Sequence, residues 1–240
     1  MINRWEYSKS KSAYHFDKTI DEDGKPPFRT IGNVGLSLKD ELQRMLVTYS
    51  TCPNTFTNRL SSQGISNSAP FTAKMDEEDL RVRGLRADHV TFENLNISGS
   101  PLMVAVAESF GMEPWAATIH LQYPGQTFPY HIDELPGLKQ NKIDHWLDKH
   151  PEAAARFEVQ LLDWEPGHVW AYGNTYWKQW KAGDIAFHEW RHIPHGTANI
   201  GRSVRATLQV TGMVSDITKS IIACGYGGSG LPRTEVASGT

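Results

Sequence analysis

GDIAFHEWRHIPHGTANIGRSVRATLQVTG, residues 183–212, reads as turn, strand, turn, strand. Gly183-Asp184 and the run from Asn199 to Ser203 carry side chains that bond their own backbone or tolerate positive φ, which is the chemistry of turns. Beyond the second turn, Val204, Ala206, Leu208 and Val210 alternate with Arg205, Thr207, Gln209 and Thr211. That period of two gives a strand with one apolar and one polar face. Folded as a hairpin centred near Ile200, the segment places His195 directly across from Arg205, with both side chains on one face of the sheet. An imidazole and a guanidinium then line one cavity, the layout that a metal-bound diacid requires.

Working upstream, residues 116–123 form a second alternating strand, with Thr118, His120 and Gln122 on one face and Ile119, Leu121 and Tyr123 on the other. Pro124-Gly125 breaks it, and Phe128-Pro129-Tyr130 leads into His131-Ile132-Asp133. In extended chain, residues i and i+2 point the same way, so His131 and Asp133 are placed to grip one ion while Ile132 turns away. Two imidazoles and one carboxylate, His131, His195 and Asp133, are the ligand set that holds non-haem Fe(II) and leaves coordination positions open. His188 and His192 are rival third ligands, His-x-Asp also suits an ordinary surface pair, and Arg205 also suits a solvated strand or an ion pair with Glu158.

A further strand, Arg156-Phe157-Glu158-Val159-Gln160-Leu161, turns Arg156, Glu158 and Gln160 to one side. His168, after a Pro-Gly turn, reads as a structural hydrogen-bonding residue. Trp164, Trp170, Trp177, Trp180 and Trp190 read as core or barrel-rim packing, since aromatic side chains dominate buried area.

Several pieces together resemble the Fe(II)/2-oxoglutarate-dependent oxygenases. They are Pro124-Gly125 with His131-x-Asp133, Leu162-Asp163-Trp164-Glu165-Pro166-Gly167-His168, Trp180-Lys181-Ala182-Gly183-Asp184, Pro194-His195-x-Thr197-Ala198-Asn199, and the run from Arg205 to Gly212. Within that superfamily they are most similar to the aspartyl/asparaginyl and prolyl hydroxylase-like branch, including the oxygenases that phages carry, over about residues 116–213. The resemblance implies a mainly β protein with flanking helices, a double-stranded β-helix of the jelly-roll or cupin-like kind.

It further implies that His131, Asp133 and His195 bind Fe(II). Arg205 would pair bidentately with the distal carboxylate of the cosubstrate 2-oxoglutarate, as a planar guanidinium can, and Arg156, His120 and Gln122 would supply further cosubstrate contacts. With O2 as oxidant, the implied reaction hydroxylates an unactivated C–H bond and releases succinate and CO2. The carboxylate of Asp133 favours hydroxylation, because halogenating relatives lack it. The implied substrate is an amino-acid side chain, free or peptidyl, such as prolyl, hence a small-molecule or peptide partner. Two other classes fit the same residues: a metal cupin enzyme that uses no 2-oxoglutarate, and a non-catalytic jelly-roll binding module.

The 240 residues are 21% charged and 39% hydrophobic, the composition of a single enzyme-sized domain. A net charge of −3 gives no general pull toward nucleic acid or an anionic membrane, and the basic cluster Arg81, Arg83 and Arg86 reads as a solvated face. Cys52 and Cys224 stand far apart and imply no disulfide framework. With no apolar run long enough to span a bilayer, the expected compartment is the cytoplasm.

The expected organisation is a helical and loop region over 1–115, a jelly-roll core over 116–213 and a tail over 214–240. Ser37 and Asp40 resemble a helix cap ahead of Leu38, Leu42, Met45, Leu46 and Tyr49 at helical spacing. Residues 51–100 read as loops, and Leu102 to Phe110 as a short helix ended by Gly111. Residues 134–153 suit a lid, and the Gly-rich stretch after 222 reads as a mobile tail.

Overall fold

The computed structural model describes residues 28–51, 58–62, 65–66, 90–131, 153–173, 175–188 and 193–227. The strands are β1 (Phe28–Asn33), β2 (Asn58–Ser62), β3 (Ile65–Ser66), β4 (Val90–Asn96), β5 (Trp115–Gln122), β6 (Thr127–His131), β7 (Ala154–Gln160), β8 (His168–Tyr172), β9 (Thr175–Trp177), β10 (Asp184–His188), β11 (His195–Asn199) and β12 (Arg205–Met213). The helices are α1 (Lys39–Thr51), α2 (Pro101–Glu108) and α3 (Asp216–Cys224).

From β5 onward the chain shuttles between two antiparallel sheets. The larger has the order β1-β10-β7-β12-β5-β4-β2-β3 and the smaller β6-β11-β8-β9. β5, β7, β10 and β12 thus go to one sheet, and β6, β8, β9 and β11 to the other. That winding is the jelly roll, or double-stranded β-helix, with strands β1 to β4 widening the larger sheet at its two edges.

This topology overturns the hairpin expected between β11 and β12. His195 pairs with His131 on β6 and with Tyr172 on β8, whereas Arg205 pairs with Gln122 on β5. The turn between them carries the chain from one sheet to the other. Asn199 pins that crossing: its Nδ2 donates to the carbonyls of Gln122 and Ser203, both at 2.7 Å, and its Oδ1 accepts from Gly201 N at 3.0 Å. The alternating pattern reports that β12 has a polar face, and says nothing about which strand lies beside it.

The apolar core lies outside the barrel, beneath the larger sheet. Ile119 and Leu121 of β5, Phe157 and Val159 of β7, Ile185 of β10, and Ala206, Leu208 and Val210 of β12 are buried against Leu42 and Met45 of α1, Met103, Val106 and Ala107 of α2, and Ile221 of α3. The helices form where their sequences cap them. Ser100 Oγ accepts from Met103 N ahead of Pro101 at the start of α2, and Ser215 and Thr218 make a reciprocal capping box on α3. Leu208 is fully buried at the centre of this layer. Leu208→Ala is expected to cost about 2–5 kcal/mol, the range for a leucine truncated to leave a cavity, read as a lower midpoint in urea unfolding.

The reading of 51–100 as loops is corrected by β2, β3 and β4. β4 pairs with β5, placing Leu95 opposite Ile119. Asn94 and Asn96, turn-forming residues of low β propensity, obscure that strand in the sequence. The chain after 222 is also more ordered than expected: α3 runs to Cys224, Tyr226 N donates to Ile31 O at 2.7 Å, and the Tyr226 hydroxyl meets Ser109 Oγ at 2.8 Å. Asp133, residues 134–152 of the suggested lid over 134–153, His192, Trp190, Cys52 and the Arg81, Arg83 and Arg86 cluster lie outside the described residues. Among the described residues, no helix is long and apolar enough to cross a membrane.

Candidate functional site

In most sandwiches the two inner faces meet as the apolar core. Here the inner face of the larger sheet is polar across its three central strands β5, β12 and β7. The register across β5, β12 and β7 builds successive rungs: Gln122 with Arg205; His120 with Thr207 and Gln160; Thr118 with Gln209 and Glu158; Thr211 with Arg156. Each rung is closed by a side-chain hydrogen bond. Arg205 Nε donates to Gln122 Oε1 at 3.2 Å, Thr207 Oγ1 to Gln160 Oε1 at 3.1 Å, Gln209 Nε2 to Glu158 Oε1 at 3.0 Å, and Arg156 Nε to Thr211 Oγ1 at 2.9 Å. Gln122, Arg156, Glu158, Gln160, Arg205 and Thr207 are all buried. So dense a set of buried polar groups is a poor core and a good ligand lining.

The smaller sheet faces this ladder with His195 and Thr197 of β11 and Trp170 and Tyr172 of β8. Gln122 Nε2 donates to Thr197 Oγ1 across the gap at 3.2 Å, and the Arg205 guanidinium lies 4.5 Å over the Trp170 ring. Trp170 and Tyr172 are held in turn by Trp177, Trp180 and Phe28. Arg205 is therefore fixed on one edge by an amide and on one face by an indole. Its Nη1 is buried with no acceptor among the described residues. Burial lowers its pKa to about 10, opposed by the charge of Glu158, so the group stays cationic at neutral pH. A buried guanidinium with an open donor suits an anion, and its fork suits a carboxylate.

His195 is buried on the smaller sheet and oriented through its ring. Its Nδ1 lies 3.2 Å from the carbonyl of Ile193, a contact that assigns the proton to Nδ1. Burial, helped by the positive charge of Arg156, lowers its pKa to about 4, so the ring is neutral at physiological pH. The β6–β11 register sets His131 directly opposite. Among the described residues alone, no three His, Cys, Asp or Glu form a metal group. His188, the rival on β10, stands opposite Phe28 in the other sheet.

The remaining expected contacts share this interior. Gln122 orients Arg205, His120 stands half-buried one rung along, and Arg156 stands at the far end of the ladder from Arg205. Tyr172, Thr197, Thr207, Gln209 and Thr211 were not singled out from the sequence. Their signal was the polar half of each alternating strand. His168 behaves as a structural residue, its Nδ1 accepting from Glu165 N at 3.3 Å and its Nε2 facing Ser203 O at 3.2 Å. Gly167 before it has φ +100, and a Cβ there would stand 2.4 Å from Gly201 Cα. Only glycine fits.

Glu158 is the one acid on the ladder. Burial raises its pKa to about 7 against the lowering effect of Arg156. The folded state therefore holds this proton more tightly than the unfolded chain, and as pH rises from 4.5 toward 7 ionisation progressively disfavours folding. Glu158→Gln should consequently gain stability over the wild type as pH rises through that window, seen as a widening gap between their melting temperatures. A gap that narrows with pH would show that the ionised carboxylate is stabilised by its surroundings.

The fold and its interior define a jelly-roll protein with buried polar groups between its sheets. No family model matches the sequence, and no curated protein matches it. Among solved structures the chain is similar to the non-heme alpha ketoglutarate dependent carbocyclase SnoK from nogalamycin biosynthesis, at 14% identity over 86% of this chain and 87% of that one, with a TM-score of 0.47. It is similar to the non-heme alpha ketoglutarate dependent epimerase SnoN from nogalamycin biosynthesis, at 14% identity over 72% of this chain and 80% of that one, TM-score 0.38. A predicted oxalate decarboxylase from Thermotoga maritima is similar at 17% identity over 41% of this chain and 65% of that one, TM-score 0.28.

Proposed function

We propose that the protein is an Fe(II)- and 2-oxoglutarate-dependent dioxygenase that hydroxylates an unactivated C–H bond of a small molecule or peptide. One observation carries the reading: a buried, oriented guanidinium with an open Nη1 shares a polar barrel interior with a neutral histidine whose proton is held on Nδ1. His131, Asp133 and His195 would hold the iron. Arg205 would hold the distal carboxylate of 2-oxoglutarate, and Gln160 Nε2, a second buried donor with no partner among the described residues, stands on the next rung.

Iron, 2-oxoglutarate and O2 supply the oxidising chemistry when bound. The chain's own contribution is placement. Gln122 and Trp170 fix the guanidinium before a ligand arrives, which lowers the entropic cost of binding. The Ile193 carbonyl holds the His195 ring in its ligating tautomer. Burial keeps bulk water from the interior and strengthens each electrostatic contact there. The test is Fe(II)-dependent formation of succinate from 2-oxoglutarate. Formation that requires both metal and O2 supports the assignment, and its absence under every substrate set would favour a metal enzyme of another kind or a binding module.

A further inference from the structure

We propose that Glu158 is the recognition point for a protonated amine on the primary substrate, so that this chain selects small amine-bearing compounds; the inference rests on the oxygenase reading above. The inner face offers two kinds of open group. Arg205 Nη1 and Gln160 Nε2 are buried donors on neighbouring rungs, suited to the oxygens of an anion. Glu158 Oε2 is an acceptor, buried and with no donor among the described residues, while Oε1 is held by Gln209 Nε2. An anionic cosubstrate satisfies the donors and leaves this acceptor unmet.

Position separates the two roles. Glu158 pairs with Gln209, four residues along β12 from Arg205, which is roughly 13 Å at about 3.3 Å per residue. The two groups therefore leave the backbone at distinct stations on the ladder, while their charges act on each other. The groups around Glu158 are Arg156 and Gln160 on its own strand, Gln209 and Arg205 on β12, His195 on β11 and Tyr172 on β8, while Ala186 stands opposite it on β10. Its neighbours include cations and neutral donors, but among the described residues none completes Oε2. A buried carboxylate oxygen left this way is unfavourable by itself. An arriving ammonium supplies both the charge and the N–H, whereas a neutral amide supplies only a weaker bond.

The experiment is a thermal-shift screen at pH 8 of a library of small primary and secondary amines, each paired with its N-acetyl counterpart. The protein is loaded with Fe(II) and 2-oxoglutarate under anaerobic conditions and screened as wild type, Glu158→Gln and Glu158→Asp. The expected result is that one or more free amines raise the melting temperature while their acetylated partners do not. Glu158→Gln should weaken that amine's binding at least tenfold, and Glu158→Asp, which keeps the charge on a shorter arm, should retain the preference.

Equal stabilisation by acetylated partners, survival of the preference in Glu158→Gln, or no stabilisation by any free amine would overturn the proposal. Folding is checked by the ligand-free melting temperature of Glu158→Gln, which should equal or exceed that of the wild type at this pH. A lower value would overturn it by giving the carboxylate a structural role. Amine binding without succinate formation would instead refute the oxygenase reading and leave the amine site in place.

Discussion

Arg205→Ala should raise the 2-oxoglutarate concentration needed for half-saturation by roughly 30-fold to several thousand-fold, the equivalent of about 2–5 kcal/mol for truncating one partner of a buried charged pair. Fe(II) affinity measured before cosubstrate is added should change by no more than about threefold, because the charges that act on His195 are those of Arg156 and Glu158. The effect is large because this guanidinium needs little reorganisation before binding. Gln122 Oε1 already accepts from its Nε, and Trp170 already lies under its face. Arg205→Lys should recover little of the loss, since an ammonium reproduces neither the fork nor the stacking. Calorimetric titration of wild type and variant with metal and then cosubstrate measures both quantities. Parallel loss of the two affinities, or loss of neither, would contradict the division of roles.

The second large effect is on the metal. His195→Ala should lower Fe(II) affinity by more than about a hundredfold, exceeding the 10–100-fold typical of changes in residues that merely orient a ligand. The reason is again local. His195 is buried, neutral and oriented through Nδ1 by Ile193 O, and its removal deletes a donor atom outright. His188→Ala should leave metal binding within about threefold, because position 188 pairs with Phe28 on β1 rather than with β6. A stronger effect of His188→Ala than of His195→Ala would reassign the ligand. Measurements with a redox-silent divalent ion separate metal affinity from turnover.

Period-two alternation made much of this legible from the sequence. It placed Arg156, Glu158 and Gln160 on one face of β7, and Thr118, His120 and Gln122 on one face of β5, and those faces do line the interior. Alternation fixes which side a residue takes but carries no information about the neighbouring strand. The hairpin between His195 and Arg205 was therefore wrong: the two residues stand on opposite sheets, which approach each other where Gln122 bonds Thr197, and Asn199 secures the crossing between them. β4 was missed because asparagines interrupt its pattern. Trp170 looked like packing, and it does pack; that it also lies against the Arg205 guanidinium depends on register, which only the folded chain supplies. Glu158 was visible as an inward acid, but its open oxygen was not, since that depends on Gln209 occupying the other one.

The proposed function requires that one interior join a metal at His195 to a carboxylate at Arg205. Its most direct test is the dissociation constant of 2-oxoglutarate measured with and without bound divalent metal, in wild type and in Arg205→Ala. The account predicts that metal tightens binding at least tenfold in the wild type and that Arg205→Ala weakens it in both states. Affinity for 2-oxoglutarate that is indifferent to both the metal and Arg205 would contradict it.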